Sequence, residues 1–179
     1  MIIALAGRRI DPSDAAAPRF PAANVALVKT RLAEFMQSHG VTGLVCAAAC
    51  GADLLALEVA AERQLRRCVV LPFNRELFRA TSVTDRGGDW GELYDRIIAE
   101  VAAAGDLIEG TLDPNDSATW FAGNLDILKH AQTLADETRS YLAVLIVWEG
   151  YSRGADDVSG HLKAEAEARG LGVAEVLTL

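Results

Sequence analysis

The stretch most suited to chemistry joins a short apolar run to a helix through a turn of small residues. Leu44–Cys46 has the composition of a strand buried on both faces. Ala48, Ala49 and Gly51 leave little side-chain bulk over the turn, so a ligand can approach the backbone there. A helix from about Asp53, which is placed to cap it, aims its free N–H groups at a phosphate or carboxylate. The alternative is that small residues only let the helix pack closely on the strand.

Two arginines follow the first apolar run. Gly7, Arg8 and Arg9 come directly after the predicted strand 2–6 and place guanidinium groups at its carboxyl end. Ligands bind at this edge in open α/β sheets. The alternative is that the arginines are solvated or pair with nearby aspartates.

Two loops offer further contacts. The Pro-rich end of the loop 13–21, which contains Arg19, is either a flap over the site or a plain surface connection. After the predicted strand 68–71, Phe73 either stacks on a base or packs under the loop. Asn74 either binds a ligand or caps the next helical turn.

A second turn of small residues follows the most apolar segment, 141–147, which we expect to be an interior strand. Ser152, Gly154 and the free amides of the next helix suit a phosphate. Asp156 and Asp157 weaken this interpretation, because their carboxylates can satisfy the helix end themselves.

Three further polar residues, two within helical patterns and one after a strand, are candidates. Glu58 lies more than a turn into its helix and is either solvated or reaches the ligand. Asn124 is either a surface residue or a ligand contact. Glu149 follows the apolar strand 141–147 and is a second carboxylate near the same edge.

Length, charge and composition limit the classes of protein to which the chain can belong. The chain has 179 residues and a net charge of −8, so we expect one domain over 1–179 and no nucleic-acid partner. No apolar run is long enough for a membrane span, and 2–6 is interpreted as a strand rather than a signal peptide, which predicts a cytoplasmic protein. Cys46, Cys50 and Cys68 are expected to be reduced, buried thiols. No histidine lies nearby to complete a metal site, and no cofactor or metal is expected.

The elements that position these residues alternate between strand and helix. This order predicts an α/β fold: a three-layer Rossmann-like sandwich with a mostly parallel sheet of about six strands. Fingerprints of dinucleotide-binding, P-loop and α/β-hydrolase proteins are missing. The predicted strands are 2–6, 44–46, 68–71, 107–109, 141–147 and 173–177, and the predicted helices are 22–38, 53–65, 89–104, 118–138 and 158–169.

The motifs resemble those of the SLOG superfamily, the Rossmann-like group that contains the LOG cytokinin-activating enzymes and the DprA DNA-processing proteins. Gly7-Arg8-Arg9 resembles its Gly-x-Arg turn, and Gly51-Ala52-Asp53 resembles its Gly-x-Asp helix start. The segment 152–157 resembles its second Gly-rich loop. An uncharacterised branch of the group, also found beside cyclase or repeat domains, has motifs similar to 9–11, 18–21, 48–53 and 71–73.

The resemblance implies a nucleotide-derived ligand but transfers no catalytic residue. The LOG turn P-G-G-x-G-T-x-x-E has its Glu three residues after the Thr, whereas Leu55 and Val158 stand at the corresponding positions here. We therefore expect binding or sensing of a nucleotide-derived small molecule. The expected ligand contacts are Gly7, Arg8, Arg9, Arg19, Ala49, Cys50, Gly51, Ala52, Asp53, Phe73, Asn74, Asn124, Trp148, Ser152 and Gly154.

Two other functions stay open. One is a LOG-like phosphoribohydrolase that cleaves an N-glycosidic bond, with Glu58 or Glu149 as its carboxylate and Arg9 as its partner. The other is a partner-binding scaffold with a vestigial pocket. A homodimer is the expected oligomer.

Overall fold

Six apolar segments form one parallel sheet in the computed structural model, which describes all residues, 1–179. The prediction of an α/β Rossmann-like sandwich is confirmed, and the sheet is parallel throughout. The strands are β1 (Ile2–Gly7), β2 (Gly43–Cys46), β3 (Arg66–Leu71), β4 (Leu107–Glu109), β5 (Leu142–Trp148) and β6 (Gly172–Leu177).

Six α-helices connect the strands: α1 (Val25–Ser38), α2 (Ala52–Glu62), α3 (Arg75–Ser82), α4 (Trp90–Ala103), α5 (Thr119–Thr138) and α6 (Val158–Ala168). Short 3₁₀ turns cover Ala22–Asn24 and Thr84–Arg86. The helix expected over 53–65 ends at Glu62, because Gln64 takes a left-handed conformation, with φ of 57°, that turns the chain into β3.

Alternating side chains of the strands bury two cores, one on each face of the sheet. Ile3 and Leu5 of β1 pack in the larger core with residues of α1, α2 and α4. Ile2 and Ala4 face the other core, which α5 and α6 cover. The strand β5 is buried over its whole length, as expected of an interior strand. All three cysteines are free and buried.

The strand order places a topological switch between β1 and β5. In the sheet β4-β3-β2-β1-β5-β6, the chain runs outward from β1 to β4 and then returns to place β5 on the other side of β1. Ligands of open α/β sheets bind in the crevice that such a reversal opens at the carboxyl ends of the strands. None of the helices combines the length and apolar character that crossing a bilayer requires.

Candidate functional site

A cavity of about 690 Å³ opens at the carboxyl edge of the sheet, over the switch between β1 and β5. Seven of the residues predicted to contact a ligand line it. They come from the end of β1, the following loop, the turn after β2, the first turn of α2, and α5, and are Gly7, Arg8, Arg9, Arg19, Ala49, Asp53 and Asn124.

Two glycines let the end of β1 lie directly against the start of α2. A Cβ atom on Gly7 would stand 2.3 Å from the Cβ of Ala52. Gly51 has φ of 99°, and a Cβ there would stand 2.6 Å from the amide nitrogen of Ile10. The two glycines therefore serve chain packing, which is the alternative interpretation of the small-residue turn. Gly51 forms an antiparallel bridge with Arg9.

Two of the amides at the start of α2 already donate hydrogen bonds within the protein. The N–H of Cys50 donates to the carbonyl of Ser82 (3.0 Å), and that of Ala52 donates to the carbonyl of Arg8 (3.1 Å). Cys50, Gly51 and Ala52 do not line the cavity. The amides of Cys50 and Ala52 are therefore not free for a phosphate, contrary to expectation, because carbonyl groups of α3 and of the chain just beyond β1 accept their hydrogen bonds.

Asp53 is a buried carboxyl group in the wall of the cavity rather than the expected helix cap. Its residue is 6% exposed, and the N-cap position is Gly51. The Oδ2 atom accepts the N–H of Ala49 at 3.2 Å, whereas Oδ1 is buried without a hydrogen-bond partner. Burial raises the pKa of Asp53 to about 7, against the opposing effects of the Ala49 amide and the Arg9 charge.

Arg8 links β1 to the segment beyond β5. Its Nε donates to Glu149 at 2.5 Å, and its two terminal nitrogens donate to the two oxygens of Asp157 at 2.6 and 2.8 Å. It also donates to the carbonyl of Tyr151 and lies over the ring of Trp148. Most of its donors are occupied, so Arg8 holds the cavity wall together rather than offering a free charge.

The two carboxylates around Arg8 are ionised. Burial opposes ionisation of Asp157, but hydrogen bonds from Arg8, Gly160 and Arg153 hold its pKa well below the usual range. Burial likewise opposes ionisation of Glu149, yet bonds from Arg8 and Arg153 lower its pKa. Asp157 caps α6 through the amide of Gly160, as its position in the sequence suggested.

Arg9 takes a partner that the sequence did not indicate. Its terminal nitrogen pairs with Asp85 beyond α3, and its Nε is buried without a hydrogen-bond partner. Burial opposes its charge, but Asp85 and Cys50 raise the pKa of Arg9 overall. Arg8 and Arg9 thus both line the cavity, as predicted, but both are ion-paired. Arg8 pairs with Glu149 and Asp157, and Arg9 pairs with Asp85.

The loop after β1 forms one side of the cavity, in agreement with the flap interpretation. Asp11 accepts the backbone N–H groups of Arg19 and Phe20 and so closes the loop on itself. Phe20 is fully buried beneath it. Thr178 donates to the carbonyl of Arg19, and Arg153 donates to the carbonyl of Pro18.

Three arginines beyond β1 and its first two following residues line the cavity, and only one of them is unpaired. The side chain of Arg19 makes no ion pair or hydrogen bond, although the residue is exposed and lines the cavity. Arg86 donates to the carbonyl of Ile10 at 3.1 Å and pairs with Asp85 at 3.7 Å, and Arg153 pairs with Glu149 at 2.5 Å. Sequence reasoning missed Arg86 and Arg153 because their reach depends on loop paths that no local pattern encodes.

Aromatic residues close the cavity on the α5 side. Trp120 and Phe78 line it, and Phe73 lies buried between them, with ring centroids 5.8 and 5.9 Å away. Phe73 therefore packs under the loop instead of meeting the cavity, and Asn74 caps α3 through the amide of Leu77. Of the two alternatives given for each residue, the structure therefore shows packing for Phe73 and helix capping for Asn74.

Asn124 is buried and joins two helices at the cavity. Its Nδ2 donates to the carbonyl of Val158 at 2.8 Å. Trp148, Ser152 and Gly154 do not line the cavity. Trp148 is buried beneath Arg8, whereas Ser152 and Gly154 are exposed on the turn before α6.

The two carboxylates considered for catalysis lie outside the cavity lining. Glu58 pairs with Lys29 of α1 at 2.8 Å and with Arg96 of α4 at 3.4 Å, since it lies on the face of α2 that these helices flank. The side chain of Glu149 is fully buried, and its two oxygens accept from Arg8 and Arg153. The structure therefore gives neither residue a position from which to attack or protonate a ligand.

Arginines line the cavity together with one buried carboxyl group, Asp53, whose pKa is raised. No group of three or more His, Cys, Asp or Glu side chains is placed to hold a metal ion. A comparison with protein-family models found no match for the chain, and a search of curated proteins also found none.

Proposed function

We propose that the cavity binds a nucleotide or a nucleotide-derived small molecule. The observation that carries this proposal is the unpaired guanidinium of Arg19 beside a cavity of about 690 Å³ at the topological switch. A volume of this size lies within the range of roughly 300–1,000 Å³ typical of small-molecule sites. The motifs that resemble the SLOG superfamily, Gly7-Arg8-Arg9 and Gly51-Ala52-Asp53, adjoin each other at this cavity.

The charge around the cavity favours an anionic ligand. Five arginines and four aspartates line it, but the charges differ in availability. Asp157 is neutralised by Arg8. Burial raises the pKa of Asp53 to about 7, so much of this carboxyl is uncharged near neutral pH. Arg19 is exposed and unpaired at the cavity, and the planar donor fork of a guanidinium matches phosphate oxygens.

The opposite wall suits the rest of such a ligand. Trp120 is partly exposed at the cavity, and Pro72, Phe78 and Ile127 add apolar surface. An aromatic ring beside a positively charged opening is suited to stacking a base whose phosphate lies among the arginines.

Binding without cleavage is preferred to the phosphoribohydrolase alternative. Glu149 is locked in ion pairs and Glu58 lies between α1 and α4, so neither acts on a bond in the cavity. Incubation with AMP, followed by chromatography, is expected to return intact AMP. Release of adenine would overturn this part of the proposal.

Isothermal calorimetry with AMP, GMP, CMP and UMP tests the proposal. We expect saturable binding of at least one of them, weakened roughly three- to tenfold in Arg19→Gln, as for the loss of one charged hydrogen bond. The matched control is Arg139→Gln. Arg139 is also exposed and unpaired, but it precedes β5 at the opposite edge of the sheet. The proposal fails if none of the four binds, or if both variants change affinity equally.

A further inference from the structure

Two buried polar atoms of residues that line the cavity have no hydrogen-bond partner: Nε of Arg9 and Oδ1 of Asp53. Asp53 lines the cavity and is 94% buried, since only 6% of it is exposed. One carboxyl oxygen accepts the amide of Ala49, and the other accepts nothing. Buried polar atoms in folded proteins are nearly always hydrogen-bonded, so an orphaned carboxyl oxygen in a cavity wall indicates a missing partner.

The surroundings of Asp53 do not supply that partner. Arg9, which follows β1, is the only cation that acts on it; its terminal nitrogen is engaged with Asp85, and its Nε makes no hydrogen bond to Asp53. The thiol of Cys46, on β2, is the other titratable group that senses its charge. The Ala49 amide donates the one hydrogen bond that Asp53 accepts, to Oδ2. The Oδ1 atom of ionised Asp53 therefore lacks a donor, and a proton placed on it lacks an acceptor.

We propose that Asp53 is the specificity-determining residue of the cavity and accepts a hydrogen bond from a hydroxyl or amino group of the bound nucleotide. This inference rests on the proposed function and deepens it. It defines a ligand with two chemical ends: an anionic end for the arginines and a neutral hydrogen-bond donor for Asp53. A ribose hydroxyl and an exocyclic amine of a base both have this chemistry.

The number of protons released to the buffer when the ligand binds reports on this contact. A donor on the ligand stabilises the carboxylate, so a protonated Asp53 gives up its proton to the buffer when the ligand binds, and the ligand keeps its own proton. With a pKa of about 7, close to half of the Asp53 population carries a proton at pH 7. Binding is therefore expected to release up to about half a proton from this group.

The test is calorimetry at pH 7 in buffers of different ionisation enthalpy, with AMP, GMP, CMP, UMP and ribose 5-phosphate as probes. We expect the wild-type protein to release about half a proton more than Asp53→Asn does, and the variant to bind roughly tenfold more weakly. Taking the difference removes the proton released by the phosphate itself. The matched control is Glu58→Gln, an acidic residue on the same helix but outside the cavity, which should change neither quantity.

The probes separate the two donors. Extra proton release with ribose 5-phosphate assigns the contact to a sugar hydroxyl, whereas release only with AMP, GMP or CMP assigns it to a base amine. Asp53→Ser serves as a second variant should Asp53→Asn fail to fold. Equal affinity and equal proton release in wild type and variant would overturn the inference while leaving the proposed function standing. Absence of binding to the wild-type protein would remove both.

Discussion

Arg8 and Asp157 stand 149 positions apart in the sequence and are joined by two hydrogen bonds of 2.6 and 2.8 Å. The pair closes the gap between β1 and α6 at the point where the strand order reverses. The pair holds the wall of the cavity in place and neutralises the charge of Arg8. The positive charge that remains for a ligand therefore comes from arginines on the loops.

Removing Arg8 should destabilise the fold strongly. Arg8→Ala leaves buried Asp157 without its cation and Glu149 with Arg153 alone, and breaking such a buried pair costs about 3–5 kcal/mol. The free energy of unfolding from urea titration measures this loss. Arg139→Gln, at an exposed and unpaired arginine, should change it by less than about 0.5 kcal/mol. A loss of similar size in both variants would show that Arg8 is not a structural link.

Asp53 should make stability depend on pH in the direction opposite to an ordinary paired carboxylate. Its pKa is about 7 in the folded chain and near 3.8 without burial, so the folded state binds more protons between these values. The unfolding free energy contributed by this group therefore falls as pH rises from about 4 to 7, by up to about 4 kcal/mol, and levels off above that.

Comparison with Asp53→Asn isolates this effect, because the amide does not titrate. We expect the difference in unfolding free energy between wild type and Asp53→Asn to change across this pH range. Glu58→Gln should leave the pH profile almost parallel to that of the wild type. A difference that stays constant from pH 4 to 7 contradicts the raised pKa.

Gly7 should tolerate no side chain. Gly7→Ala places a Cβ 2.3 Å from that of Ala52 and 2.9 Å from that of Val147, and such overpacking costs about 1–3 kcal/mol. The second substitution Ala52→Gly should recover part of the loss in a double-mutant cycle. Gly123→Ala in α5 is the control, since its Cβ meets only Pro72 at 3.6 Å. A melting temperature for Gly123→Ala that is lower than that of Gly7→Ala would contradict this packing.

The sheet was predictable because buried parallel strands give continuous apolar runs, as in β5, and helices between them give period-3.6 stripes. Because parallel strands end at a common edge, the placement of Gly7, Arg8 and Arg9 at the carboxyl edge was also predictable. The ion-pair partners of the two arginines were not predictable, because Asp85 and Asp157 reach them only through tertiary structure.

Asp53 shows where local rules fail. An acidic residue at a helix start is usually a solvated cap, which is what its position in the sequence indicated. In the structure the helix begins at Ala52, the segment 8–10 that follows β1 lies against Gly51, and the carboxyl of Asp53 is buried. Neither the burial nor the orphaned oxygen has a local sequence pattern, because both depend on tertiary structure.

Amide chemical-shift mapping of ¹⁵N-labelled protein titrated with AMP, GMP, CMP and UMP can show whether a nucleotide binds in the carboxyl-edge cavity. We expect saturable shifts confined to the cavity, at 7–9, 15–19, 47–49 and 156–159, and little change at the opposite edge around 40–42 and 139–141. The absence of saturable shifts for all four nucleotides, or shifts centred on the opposite edge, would contradict nucleotide binding in this cavity.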